Sequence, residues 1–133
     1  MLKILIVDDI QNWRLNHFRL VRELFGVRAQ TFFASSATEA YNTILEHQDA
    51  PFDIIVSDLQ MEEDYEPEHA GEWFVRETKL LKQYQNTCIV LISASSDIEF
   101  VAQKLDVDFI AKPTLIYNPL AFKYLMTEKG FVE

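Results

Sequence analysis

Short apolar runs recur along the chain, and each is cut off by a polar or charged residue. Lys3-Ile4-Leu5-Ile6-Val7 stops at Asp8-Asp9. Phe52-Asp53-Ile54-Ile55-Val56-Ser57 stops at Asp58. Cys88-Ile89-Val90-Leu91-Ile92 stops at Ser93, and Asp108-Phe109-Ile110-Ala111 stops at Lys112-Pro113. Runs this short and β-branched, without polar alternation, read as strands buried on both faces. Residues 27–33 alternate loosely and supply one more strand.

The segments between them carry the helical period. Over residues 12–25, Leu15, Phe18, Val21 and Phe25 form an inward stripe, Arg14, Arg19 and Arg22 fill the outer face, and Gly26 is a stop signal. Ser36-Ala37-Thr38-Glu39 has the capping-box pattern. The helix it opens should bury Ala40, Tyr41, Ile44 and Leu45 and end near His47. Gly71 opens a helix with Phe74, Val75, Thr78 and Leu81 inward, closing at Gln85-Asn86. Ser96-Asp97-Ile98-Glu99 starts a short helix through Leu105. Asn118-Pro119 reads as an N-cap followed by proline at the first helical position, ahead of a stripe of Leu120, Ala121, Tyr124 and Leu125.

Strands alternating with helices imply βαβ units with right-handed crossovers and helices on both faces of a parallel sheet. The expected fold is α/β: a flavodoxin-like, doubly wound, five-stranded parallel sheet of strand order 2-1-3-4-5 with five helices. Residues 1–133 should form one domain. In such a sheet ligands bind outside the carboxyl ends of the strands, at the switch point beside strands one and three.

Composition narrows the function. A net charge of −9 repels nucleic-acid phosphates, so direct nucleic-acid binding is not expected. No apolar run is long enough to span a bilayer. The first residues lead into a strand pattern without a cleavable signal, and the one cysteine, Cys88, offers neither a disulfide nor metal spacing. A cytoplasmic protein is the expectation.

The strand ends bring Asp8-Asp9, Asp58, Ser93 and Lys112 to one rim. Carboxylates gathered so closely repel one another unless a cation joins them. Oxygen ligands of high charge suit Mg²⁺, which binds through one or two carboxylates, waters and a phosphate. Lys112 would be a point charge for a phosphoryl oxygen and Ser93 a hydroxyl donor to another. Asp58 would then be a nucleophile forming an acyl phosphate.

Four pieces carry a resemblance to a known family: Ile6-Val7-Asp8-Asp9, Ile55-Val56-Ser57-Asp58-Leu59-Gln60-Met61, Leu91-Ile92-Ser93-Ala94 and Phe109-Ile110-Ala111-Lys112-Pro113. Together and in order they resemble the receiver domain of two-component response regulators. The resemblance implies that Asp58 accepts a phosphoryl group from a histidine kinase or a histidine phosphotransfer protein. It implies that Asp9 ligates Mg²⁺ directly, Asp8 supports it through water, and the Gln60 backbone carbonyl completes the site. Ser93 and Phe109 would act as the switch pair, presenting the surface of the fourth helix, fifth strand and last helix to a downstream protein. Such a domain catalyses its own phosphorylation and dephosphorylation without being a dedicated enzyme. The last helix offers a route to a homodimer.

The segment 61–70 departs from the family. It is several residues longer than usual and strongly acidic, with Glu62 where a proline commonly follows Met61. It is expected to be a long loop, with His69 a minor functional candidate. His17 and His47 read as helix residues without a ligand role. Trp13, close after Asp9, should report Mg²⁺ by its fluorescence. Each site feature also has a plainer explanation, as a helix cap for Asp8-Asp9 or a turn residue for Asp58. The main rival function is a pseudo-receiver that only contacts proteins. An enzyme on a nucleotide-binding sheet is disfavoured, because Val7-Asp8-Asp9-Ile10-Gln11-Asn12 contains no glycine to cradle phosphates.

Overall fold

The structure is a computed structural model, and it describes residues 1–61 and 69–133. The strands are β1 (Leu2–Val7), β2 (Ala29–Ala34), β3 (Ile54–Ser57), β4 (Cys88–Ser93) and β5 (Asp108–Ala111). They form one parallel sheet in the order β2-β1-β3-β4-β5. The helices are α1 (Gln11–Phe25), α2 (Ala37–Glu46), α3 (Ala70–Lys79), α4 (Ile98–Leu105), α5 (Lys112–Tyr117) and α6 (Ala121–Glu128). The expected flavodoxin-like topology is therefore present, with a short helix, α5, added before the last one.

Strand alternation divides the core into two layers. Leu5, Val7, Ile55, Ile89 and Leu91 point to one face, where Ala40 and Ile44 of α2, Phe74 and Val75 of α3, and Val101 and Ala102 of α4 cover them. Ile4, Ile6, Ile54, Val56, Val90 and Ile92 point to the other, under Val21 and Phe25 of α1, Leu115 of α5, and Phe122 and Met126 of α6. With both faces of β1, β3 and β4 covered, these strands need apolar residues at successive positions, which is why their runs are nearly continuous.

Local signals account for most boundaries. The Ser36 hydroxyl accepts from the Glu39 amide at 3.0 Å. The reciprocal arm of this box reaches one residue further back, Glu39 Oε2 accepting from the Ser35 amide at 3.3 Å. Gly26 adopts φ 57°, a left-handed conformation that suits glycine, where α1 ends.

Several inward stripes differ from the pattern. In α1, Leu15 is 50% exposed, whereas His17 is buried. The buried row is His17, Val21 and Phe25, at a strict four-residue spacing. Leu45 of α2 is also exposed. Helix α3 ends at Lys79 rather than near residue 85, and a 3-10 turn at Lys82–Tyr84 follows. That turn buries Tyr84, whose hydroxyl donates to the Ile44 carbonyl at 3.2 Å.

The last helix departs most. Asn118 closes α5, its amide donating to the Thr114 carbonyl at 2.8 Å, and the Ala121 amide donates to Asn118 O at 3.0 Å. Residues 118–120 are thus a hydrogen-bonded turn, and α6 starts at Ala121. Its buried stripe is Phe122 and Met126, leaving Leu120 and Tyr124 exposed. Lys112-Pro113 starts a helix of its own because proline suits the first turn, where its missing N–H has no partner to lose.

Candidate functional site

The carboxyl ends of β1, β3, β4 and β5 share one rim. The β1–β3 register pairs Val7 with Ser57, so the residues that follow, Asp8 and Asp58, emerge side by side. The Asp58 amide donates to Val7 O at 2.9 Å and the Asp8 amide to Ala34 O at 3.2 Å, which anchors both backbones. Asp8 is fully buried and Asp58 nearly so.

Lys112 arrives from the end of β5. Its Nζ lies 3.2 Å from Asp58 Oδ2 and 3.3 Å from Asp8 Oδ2, with the side chain 6% exposed. One ammonium group thus bridges two buried carboxylates, and Trp13 of α1 roofs it, the ring centroid 4.5 Å from Nζ. Asp58 Oδ1 accepts from the Leu59 amide at 2.7 Å and from the Gln60 amide at 3.3 Å. Asp8 Oδ1 accepts from the Ile10 amide at 2.9 Å, and Arg14 donates to the Asp8 carbonyl at 2.7 Å.

Electrostatics sets the two acids apart. Burial pushes the Asp58 carboxyl above its ordinary value and Asp8 adds to the rise, more than Lys112 and the Gln60 amide offset. Burial alone would do the same to Asp8. There His17, the Ile10 amide and Lys112 outweigh it and hold the carboxyl below its ordinary value.

Asp8, Asp9 and Asp58 each offer a carboxylate oxygen, all within 4.8 Å of one another. The set is oxygen-only, and three negative charges face one ammonium. Both properties fit a hard divalent cation.

A cleft of about 490 Å³ opens over this cluster. Asp9, Asp58, Gln60, Ser93 and Lys112 line it, together with Trp13, Met61 and Ile116. Ser93 is buried at the end of β4, where its hydroxyl accepts from the Ser95 amide at 3.1 Å. Phe109 is not in the cleft. It lies on the outer side of the edge strand, 36% exposed, beside a second cavity shared with Thr114 and Tyr124. His69 Nε2 lies 3.9 Å from Asp97 Oδ2 at the start of α4. The expectations for residues 62–68 of the acidic segment fall outside the described residues.

Sequence reasoning missed His17 and underused Trp13. His17 Nε2 is 3.6 Å from Asp8 Oδ2, and its ring packs on Trp13 at 5.6 Å between centroids. The signal was present, since His17 stands four and eight residues before Val21 and Phe25, in the row that faces the sheet.

This fold is that of receiver domains. No protein-family model matches the sequence, and no curated protein matches it either. Solved structures do. The Vibrio cholerae chemotaxis protein CheY4 is 23% identical, over 96% of this chain and 98% of its own, with a TM-score of 0.72. A CheY-like response regulator receiver domain protein from Methanospirillum hungatei is 20% identical, over 97% and 93%, with a TM-score of 0.69. The isolated receiver domain of RcsB from Salmonella enterica, solved with the phosphomimetic BeF3⁻, is 14% identical, over 99% and 91%, with a TM-score of 0.68. Among the described residues, no helix is long and apolar enough to cross a membrane.

Proposed function

We propose that this chain is a phosphoacceptor signalling domain in which Asp58 takes a phosphoryl group from a phosphohistidine donor. One observation carries the proposal. The Asp58 carboxylate stands at the end of the central strand β3, within reach of Lys112 and in a three-carboxylate cluster that fits a divalent cation.

The transfer balances simply. A carboxylate oxygen of Asp58 attacks phosphorus, an acyl phosphate bond forms, and the phosphorus–nitrogen bond to the donor imidazole breaks. The imidazole leaves with the electron pair and takes up a proton. Lys112 moves from sharing two carboxylates to neutralising a phosphoryl oxygen, which stabilises charge where it develops. Ser93, lining the same cleft, donates its hydroxyl to a second oxygen. The Leu59 and Gln60 amides hold the carboxylate in place during attack. Asp8 and Asp9, with the Gln60 carbonyl, would hold Mg²⁺, which when bound screens the negative charge of the transferring group.

The donor is a histidine kinase or a histidine phosphotransfer protein. The domain assists its own modification and is not a dedicated enzyme. It acts in the cytoplasm on a downstream protein target. The output surface is α4, β5 and the last helix, with Ser93 and Phe109 as the switch pair. Exposure of Phe100, Phe109 and Tyr124 on these elements supports that assignment.

Incubation with Mg²⁺ and a small acyl phosphate, followed by intact mass, tests the proposal. One phosphoryl group should be added, and Asp58→Asn should abolish it. Labelling unchanged in that variant would move the acceptor elsewhere. No labelling of the parent chain, with Mg²⁺ still bound, would make this a pseudo-receiver.

A further inference from the structure

Asp8 Oδ2 sits between two nitrogen groups. Lys112 Nζ is 3.3 Å away on one side and His17 Nε2 3.6 Å on the other. His17 is 2% exposed, and among the described residues neither ring nitrogen has a hydrogen-bond partner, nor does Asp8 Oδ2. The other Asp8 oxygen is held by the Ile10 amide. A buried polar ring without a partner is unfavourable, and the same row of α1 carries the apolar Val21 and Phe25 at the next turns. An apolar residue would serve packing better at position 17. The imidazole is instead aimed at Asp8, a few tenths of an ångström beyond hydrogen-bond range.

Lys112 is shared. It serves Asp8 and Asp58 together at nearly equal distances. A phosphoryl group on Asp58 adds oxygens that compete for the same ammonium, and one point charge cannot serve all of them equally. When Lys112 shifts toward the phosphoryl group, Asp8 Oδ2 loses the ammonium beside it while remaining buried. Among the described residues, His17 is the group already beside that oxygen that can take over.

Resting on the phosphoacceptor proposal, we infer that His17 is a positioning residue for the modified state. Its Nε2–H closes onto Asp8 Oδ2 as Lys112 departs. It keeps Asp8 oriented toward the ion that Asp8 and Asp9 would hold. The change asked of it is small. α1 stays in place and the ring moves by about half an ångström, the difference between the observed separation and an ordinary N–H···O bond.

Two variants and one spectroscopic measurement test this, with beryllofluoride and Mg²⁺ as the probe. In ¹⁵N-histidine NMR of the unsubstituted chain, the His17 Nε2–H signal should shift downfield and exchange more slowly when beryllofluoride binds. His17→Leu should weaken beryllofluoride binding and slow phosphorylation by about tenfold. His17→Gln, whose amide N–H reaches the position of Nε2, should restore most of both. A His17 signal that ignores bound beryllofluoride overturns the inference. Equal affinity of the leucine and parent chains does so too. If His17→Leu fails to fold, the NMR result on the parent chain decides. Failure of the parent chain to bind beryllofluoride or accept phosphate is a separate outcome, and it overturns the phosphoacceptor proposal itself.

Discussion

Gly71→Ala is the substitution whose consequence the structure states most sharply. Helix α3 begins against the backbone of the proposed acceptor, the Gly71 amide donating to Leu59 O at 3.0 Å. A Cβ at this position would stand 2.1 Å from the Asp58 carbonyl oxygen, 2.7 Å from Leu59 Cα and 2.8 Å from Leu59 O. Two effects oppose each other. Alanine is the better helix former by up to about 1 kcal/mol. Overpacking costs about 1–3 kcal/mol, and here the upper end applies, because backbone atoms cannot rotate aside as a side chain would. Relief to ordinary contact requires the start of α3 to retreat by about 1.3 Å. The net loss should be about 2 kcal/mol, a Tm lowered by about 8 °C for a chain of this length. Thermal and urea unfolding followed by circular dichroism would measure it. Phosphorylation should slow as well, since the retreating helix pulls on the Asp58–Leu59 peptide. Gly130 is the control, having φ 88° and open space around it. Gly130→Ala should cost about 1 kcal/mol from backbone strain alone. A Gly71→Ala chain as stable as its parent would refute the steric argument.

Three further outcomes follow from the charge cluster. Lys112→Met leaves Asp8 and Asp58 buried without their shared ammonium and should destabilise by about 3–5 kcal/mol. Adding Asp58→Asn should recover more than the same substitution gains in the parent chain, so strictly additive effects in that double-mutant cycle would count against the bridge. Asp58→Asn alone should stabilise the Mg²⁺-free chain at neutral pH. The folded pKa of Asp58 is raised, so its ionised form opposes folding, and that penalty appears as pH climbs through the folded value. The advantage of asparagine should therefore disappear as pH falls toward about 4, the unfolded value. Urea midpoints at the two pH values read this, and a less stable asparagine variant at pH 7 would reverse the assignment. Trp13 emission should change on Mg²⁺ titration because its ring stacks on Lys112, and Asp9→Asn should weaken the response. A flat titration of a chain that binds Mg²⁺ by another measure would dissociate Trp13 from the site.

Much of the fold was legible because its signals are local. The apolar runs of β1, β3 and β4, each ended by an acid or a serine, mark strands that are covered on both faces. Parallel strands joined by helices leave few topologies once crossovers are right-handed. Site residues were legible for the same reason. A strand end is a fixed address on a sheet, so Asp8, Asp58, Ser93 and Lys112 could be assigned to one rim before any distance was known.

Faces of helices were less legible. Leu15, Leu120 and Tyr124 have the right spacing to be buried, yet lie exposed. A helical stripe defines which residues share a face, but the crossing of helix over sheet decides which part of that face is covered.

What the sequence determined by itself is therefore the order of elements, the sheet and the identities at its rim. Only the tertiary structure decided that one ammonium bridges two acids, that Gly71 presses on the Asp58 backbone, and that His17 faces Asp8 from inside α1. These are contacts between elements far apart along the chain. They depend on where helices pack to within an ångström, and local periodicity carries no information at that scale.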